Sequence, residues 1–536
     1  MRLARLLDAA ATLAAAGLGV ALVLWSGRRE HWPWRPEHLF LLLLGLVALR
    51  ILVAPRPVPA LRPRRVVAVA VAAYATVFSF VTVTRHFTFA THALDLGYYV
   101  QLTWNLARGA GPYVSLPEMH AWGDHLSPIM YALVPAYWVV PGPVVLLVAQ
   151  SIALGLGGIA VFGLARARLG DERPAAAFAL LYLVNPSLHG INVRDFHAAA
   201  LAIPLLLAAL WAVEAGRPRL ALAPLALTLL CREDATLPVI GLGAWMVVAK
   251  RRRLAGSLVA AAALALLVVD VRWIIPAYRG EPYSHLGRYA HIGSSLSAIV
   301  ANLILHPLRT LGTLLTGGRA LYLAAMLTPL ALLPLLGGWD LLGVLPALAQ
   351  NLLSSDPVLY LFRAQYQSFV LPFLILAAIS GYARLERRRP GHWPVAVLVV
   401  AMVVSLALAS RTVNNLAVAR FWPTPDQRAA YRVLKLVPAA AAVSAQDPYV
   451  PHLSLRPLVF VFPVGVEKSD YVLVNLDTYP WRNLPGVTLV RNGGEVTIVT
   501  GRTERRYTVA GQGGPHLLLR RAGPAGLVQK RPGGVG

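Results

Sequence analysis

Acidic side chains are scarce in this 536-residue chain, 24 Asp and Glu against 49 Lys and Arg, so the places where they gather narrow the chemistry open to it. Asp95 begins the segment Asp95-Leu96-Gly97-Tyr98-Tyr99. Glu118, Asp124 and His125 follow in the same polar connection, Asp195 and His197 stand in Arg194-Asp195-Phe196-His197, and Arg232-Glu233-Asp234 sets three charges side by side between apolar segments. Carboxylates and imidazoles of this kind can take a proton from a hydroxyl or hold a divalent cation. One His and one Asp at 124–125 are too few for a metal site by themselves. Later come Arg272, then His285, Arg288, Tyr289 and His291, then Arg363, Gln365, Tyr366 and Gln367. Basic and aromatic groups in such sets can grip a phosphate or pyrophosphate; they also serve as anchors among lipid head groups. Each acidic cluster has a plainer alternative. Asp95 suits a helix N-cap, Asp124 and His125 suit bonds to nearby loop backbone, Asp195 suits a local pair with Arg194, and 232–234 suits a short loop.

These residues must be positioned by apolar elements, because 57% of the chain is apolar and 14% charged. Soluble domains carry roughly 25% charged residues, which excludes an ordinary soluble enzyme. The lone Cys231 excludes an internal disulfide and a cysteine-based metal site. A net charge of +25 in a soluble protein would point to nucleic acid; here it reads as basic cytoplasmic loops, with no nucleic-acid partner. Apolar runs occupy 8–26, 38–54, 66–84, 143–165, 174–190, 198–215, 220–231, 236–249, 254–276, 320–336, 341–353, 367–383 and 393–410. The expectation is an all-α polytopic membrane bundle of about 13 transmembrane helices, several of them shorter than the ~20 residues a perpendicular crossing needs. Arg62 to Arg65, Arg166 to Arg173, Arg217 to Arg219, Lys250 to Arg253 and Arg384 to Arg389 mark the cytoplasmic side. That places the N-terminus inside, and the long loop 85–142 and everything after 410 outside. Residues 128–139 and 297–316 carry prolines or polar groups and read as helices lying in the outer interface or dipping back; the alternative is two real spans with a miscounted pair elsewhere.

Four regions follow: two N-terminal spans in 1–65, a transmembrane core in 66–410, a small extracytoplasmic α/β domain in 411–522, and a disordered tail in 523–536. A helix is expected at 426–437, introduced by Thr424-Pro425-Asp426, with strands at Ala442–Ala445, Leu458–Phe462, Tyr471–Asn475, Val487–Val490, Val496–Val499 and Leu517–Leu519. The segment from Asp95 to Arg108 divides as a helix into Leu96, Tyr99, Leu102 and Leu106 on one face and Tyr98, Gln101, Asn105 and Arg108 on the other, which suits a helix along the membrane surface. The chain contains no P-loop or Rossmann fingerprint.

The ordered set Asp95-x-Gly97, Gln101-x-x-Trp104-Asn105, His125-x-Ser127-Pro128, Gln150, Asn192-x-x-Asp195-Phe196-His197, Arg232-Glu233-Asp234, and Gln446 with Pro451-His452-Leu453-Ser454-x-Arg456 resembles one family over about 70–480. That family is the bacterial and archaeal predicted membrane proteins called domain of unknown function 2079. Two positions depart from its pattern: Val100, where an acidic residue is expected, and Ala198, where proline often follows the Asp-Phe-His motif.

The family is in turn distantly similar to the GT-C glycosyltransferases, multi-span enzymes that take a sugar from a polyprenyl-phosphate carrier on the outer face. The resemblance implies transfer to a glycan or protein acceptor, a lipid-linked sugar donor and membrane lipids as partners, and a place in the inner (plasma) membrane. It implies Asp95 as the base, because these enzymes carry an essential acid early in their first long outer loop, with Glu233 and Asp234 as further catalytic candidates. Gln101, Asn105, His125, Asp195, His197, Arg232, Arg272, Arg288, Arg363 and Tyr366 are the substrate-binding candidates. No cofactor is required by it, though a divalent cation is compatible. A transporter or flippase of a lipid-linked substrate, or a non-catalytic scaffold, would use the same residues without bond cleavage.

Overall fold

A computed structural model describes residues 2–25, 34–54, 61–314, 316–477, 487–492, 494–500 and 503–523. The long helices start where proline meets an apolar run. Pro36–Val53, Pro63–Phe87 and Pro143–Leu169 each begin on a proline, whose missing N–H goes unused in a first helical turn. Among the described residues six helices are long and apolar enough to cross a membrane: Leu3–Leu24, Pro36–Val53, Pro63–Phe87, Pro143–Leu169, Arg253–Arg279 and His392–Leu416. A seventh arises if Glu172–Leu183 and Pro186–Val193, bent by 41° where they meet, count as one span. Their outer faces stay apolar and uncovered, as at Leu13, Val69, Phe80 and Leu258. An apolar surface of that extent is lipid-facing rather than water-facing.

The count differs from the roughly 13 spans expected from hydropathy. Several of the runs form helices that are single but short: Ala198–Glu214 and Pro218–Leu229, of at most 17 residues, and Thr236–Val248, of 13. The run at 320–336 breaks at Ala331 and Leu332, which adopt left-handed φ of 47° and 59° beside Pro329 and Pro334. The stretches expected in or near the interface, Pro128–Val139 and Leu296–Leu305, are short apolar helices.

The chain divides into two compact units. The first comprises 1–82, 122–130 and 147–420. At the ends of its helices that carry the basic loops, Arg168 makes a two-pronged contact with Glu214 (2.8 and 2.7 Å). The same guanidinium reaches Asp340 and Ser380, while Lys250 pairs with Glu214 at 2.6 Å and Trp245 donates its indole N–H to Asp340. Hydropathy does not reveal this knot, which joins residues far apart in the chain.

The second unit comprises 83–121, 131–146 and 421–536. The loop 85–142, apart from 122–130, therefore shares one compact unit with the C-terminal region. Helix Pro425–Leu434 begins with a capping box between Thr424 and Gln427. A short hairpin of β1 (Tyr113–Ser115) and β2 (Glu118–His120) lies in the loop. The main sheet contains β3 (Val443–Ala445), β4 (Val459–Val461), β5 (Tyr471–Asn475), β6 (Val487–Asn492), β7 (Glu495–Thr500), β8 (Thr503–Gly513) and β9 (His516–Arg521), in the order β4-β3-β5-β9-β8-β7-β6. β3 runs parallel to β4 and β5, and the other pairs are antiparallel. The expected strands are present, and β8 is additional. Apart from Gly523, the tail expected at 523–536 lies outside the described residues.

Candidate functional site

In the second unit Asp95 lies on a π-helical turn, Ala93–Gly97, which leads into helix Tyr98–Ala107. Such turns recur at functional sites. Asp95 is half-buried and is not the N-cap: His92 holds that position, and the Ala93 N–H donates to Asp447 Oδ1 at 2.8 Å. The helix is enclosed rather than lying along a surface, since Tyr98, Gln101, Thr103, Asn105 and their apolar neighbours are buried. Gln101, fully buried, donates to Ser115 Oγ and to the carbonyls of Arg456 and Pro457, and accepts from the Ser115 N–H at 2.8 Å. Asn105 donates to the Tyr113 carbonyl at 2.7 Å.

The sequence motif at 446–456 packs around this turn. Ala93 and Leu116 belong to the same core as Val450 and Leu453. A Cβ on Gly97 would sit 3.2 Å from Ser454 Oγ and 3.3 Å from Val450 Cγ1, so glycine permits the close approach. His452 stacks on His86 with ring centroids 4.0 Å apart and also contacts Phe89 and Tyr431.

In the first unit a second set of the sequence candidates converges. Gly123 lies against the backbone of Arg279; a Cβ there would meet its Cα and N at 3.0 Å. That approach seats Asp124 and His125 at the end of the span Arg253–Arg279. His125 Nδ1 lies 2.8 Å from Glu233 Oε1. Glu233, only 1% exposed, also accepts from the Leu126 N–H at 3.1 Å and the Tyr283 hydroxyl at 2.7 Å. Asp234 accepts twice from Arg232, from Nε and Nη2 at 2.6 Å each, and once from Gln350 at 2.8 Å. The Arg232 guanidinium lies 5.4 Å from the Tyr366 ring, with Arg288 5.6 Å from the same ring. Arg288 also faces Asp356 at 3.4 Å. The short-loop alternative for 232–234 therefore gives way to a buried, saturated ion cluster.

The cluster sets its own protonation. Burial raises the Glu233 carboxyl, but His125 and Arg232 outweigh it and hold the group below its ordinary value. Burial lowers His125, while the carboxylates of Glu233 and Asp124 act the other way and outweigh it, so the imidazole sits above its ordinary value. Burial raises Asp124, but His125 and His285 bring it below the usual carboxylate range. For His285 burial dominates and lowers it despite Asp124.

The remaining candidates are placed as follows. Asp195 is buried in a left-handed conformation, φ 72°, and its carbonyl accepts from Gln150 at 2.8 Å. The other end of the Gln150 amide accepts from the His197 N–H at 2.8 Å, so Gln150 fixes the Asp195-Phe196-His197 turn. A non-glycine residue held at positive φ stores strain of order 1–3 kcal/mol. Arg363 donates to the Leu408 carbonyl. Arg272 is exposed, and the buried residue of its π-helical turn Asp270–Ile274 is Asp270, within electrostatic reach of Glu233. Sequence reasoning passed over Asp270, although it is the lone acid of its apolar run, and a lone intramembrane acid is a functional candidate by default. It also passed over Tyr283, the hydroxyl donor to Glu233.

No curated protein matches the chain in sequence. Crystal structures of ArnT from Cupriavidus metallidurans, apo and bound to undecaprenyl phosphate, are similar to it at 15% identity and TM-score 0.49, covering 86% of this chain and 99% of theirs. The oligosaccharyltransferase of Archaeoglobus fulgidus, in its apo form, is similar at 12% identity and TM-score 0.43, covering 76% of this chain and 69% of that one. A family model described as predicted membrane protein (DUF2079) matches residues 85–492, more than half of the chain, and the protein belongs to that family.

Proposed function

We propose that this protein is a membrane glycosyltransferase of the GT-C kind, moving a sugar from a polyprenyl-phosphate carrier to an acceptor on the outer face. The observation that carries the reading is the pair of guanidiniums, Arg232 and Arg288, that both approach the Tyr366 ring, with the imidazole–carboxylate pair His125–Glu233 in the same cluster. Fixed cations and donors of this type stabilise a departing lipid phosphate, and they do so more strongly away from bulk water. The place of Asp95 early in the first long loop resembles the GT-C pattern and supports the same reading.

An inverting transfer needs a base for the acceptor hydroxyl. Glu233 and Asp234 suit that task poorly, because each carboxylate already accepts three hydrogen bonds, and a carboxylate so bonded is a weak base. Their role in this proposal is to orient His125 and Arg232. The base is Asp95, as its place in the family motif implies. Arg363 and Arg272 drop out of the phosphate side: the first is engaged with the Leu408 carbonyl and the second is exposed. The chain resides in the plasma membrane with the C-terminal region outside.

The test is lipid and glycan profiling of a deletion strain carrying wild type or Asp95→Asn. The expected outcome is accumulation of a polyprenyl-phosphate sugar and loss of one glycan modification in the deletion. Wild type restores both and the variant restores neither. Unchanged profiles in the deletion would remove the transferase reading.

A further inference from the structure

The side chains around Asp124 do more than phosphate binding asks of them. His125 and His285 stack face to face, with ring centroids 4.5 Å apart and planes 7° apart. Asp124 Oδ1 lies 3.4 Å from His285 Nε2, longer than a normal N–H···O bond, and that buried nitrogen makes no well-formed hydrogen bond. One ligand atom from each of Asp124, His125 and His285 can be taken so that all three lie within 4.8 Å of one another. Arg279 acts electrostatically on Asp124 but has partners of its own. Its guanidinium donates to the Gly123 carbonyl at 3.2 Å and faces Glu281 at 4.0 Å.

The second observation concerns how His125 is held. Its Nδ1 is bonded to the Glu233 carboxylate, which is itself fixed by the Leu126 N–H and the Tyr283 hydroxyl. A histidine whose Nδ1–H donates to a carboxylate presents the Nε2 lone pair in a set direction, and this carboxylate–histidine arrangement recurs behind metal-bound imidazoles.

We propose that Asp124, His125 and His285 bind a divalent transition cation of the zinc class, with Glu233 as the positioning residue for His125. Two imidazoles and one carboxylate form a borderline nitrogen–oxygen donor set. Mg²⁺ and Ca²⁺ prefer oxygen alone. Three protein ligands leave a fourth position of a tetrahedral ion open to water or a substrate oxygen. Ligand atoms around zinc sit on the order of 3.3 Å apart, given bonds of about 2.0 Å, so the widest pair closes by up to about 1.5 Å on binding while Asp124 and His285 are already near that spacing. The parallel stacking means that one ring turns about its Cβ–Cγ bond to bring both lone pairs onto one ion, and that terminal torsion is soft.

The test uses the full-length protein in detergent, stripped with a chelator, dialysed, and titrated with Co²⁺ and then Zn²⁺. The expected result is one Co²⁺ per chain with the strong visible absorption of four-coordinate cobalt, displaced by Zn²⁺. His285→Ala and His125→Ala each weaken binding at least 10-fold, and Glu233→Gln weakens it roughly 10–100-fold with the spectrum retained, as expected for a positioning carboxylate. If His285→Ala does not fold, His285→Gln and Asp124→Asn carry the same expectation. Absence of stoichiometric uptake, a six-coordinate cobalt spectrum, or wild-type affinity in the folded His285 variants would overturn the assignment. The readout is metal uptake, so its failure leaves the transferase reading standing, and failure of sugar transfer leaves the metal site standing.

Discussion

Arg232 illustrates how a residue can be flagged by sequence yet explained only by structure. Three charges between apolar runs with almost no loop around them are expensive unless they answer one another, and that cost made 232–234 legible as a candidate. Its partners were not legible as partners: Gln350 and Tyr283 come from distant segments of ordinary composition, and Tyr366, though a candidate, carries no sign in the sequence that it meets Arg232. The cluster predicts a graded response. Arg232→Ala strands the buried Asp234 carboxylate and should cost about 3–5 kcal/mol, the usual penalty for breaking a buried ion pair. Tyr283→Phe removes one donor to a charged acceptor and should cost about 1.5–3 kcal/mol. Thermal unfolding of the two variants checks the order. Equal and negligible shifts would mean that the cluster is open to water.

At the scale of elements, the turn bearing Asp95 depends on the segment 446–456. The sequence pointed to both as motifs, but periodicity could not show that they pack together, because they are separated by most of the chain. The enclosed helix Tyr98–Ala107 was misread for a related reason: its polar face looks solvent-exposed until Ser115, Tyr113 and Arg456 are seen to satisfy it. Gln101→Leu should therefore destabilise the second unit by about 1–3 kcal/mol, the cost of leaving its partners unsatisfied. Hydrogen exchange over 93–107 should report it.

The same contact predicts acid sensitivity. Burial, and secondarily the neighbouring His86 ring, hold His452 well below its ordinary value, so it is neutral when folded. Unfolding lets it take up a proton. Its contribution to stability is therefore complete above the ordinary imidazole value of about 6.5 and is lost as the pH falls below it. Exchange over 86–101 should accelerate between about pH 7 and pH 5 in wild type. His452→Phe should flatten that dependence.

β8 escaped prediction because Thr503-Glu504-Arg505-Arg506 and two later glycines read as a polar connection. It is nonetheless paired on both sides, by β7 and β9, and buries Tyr507. Among the described residues fewer helices reach spanning length than there are apolar runs, and at 320–336 the reason is visible: the run persists past Pro329 and Pro334 but the helix does not.

For the whole molecule, composition alone was enough to indicate a membrane-embedded helical chain, since 57% apolar residues leave few alternatives. The knot of Arg168, Glu214, Lys250 and Asp340 lies at the ends of the helices that carry basic loops, in keeping with a cytoplasmic face there. A reporter fused after Gly536 should accordingly be active only if it is of the extracytoplasmic type, and cytoplasmic activity would invert every assignment of side.

Transfer from a lipid-linked sugar is open to direct measurement: the purified chain is incubated with a labelled pool of polyprenyl-phosphate sugars, and carrier binding and lipid-phosphate release are measured separately for wild type and Asp95→Asn. Wild type should release lipid phosphate, and the variant should retain binding with release lowered roughly 10²–10⁴-fold, the contribution of a general base. Wild-type protein that releases no lipid phosphate from any donor, yet carries the intact lipid across vesicles, would contradict it.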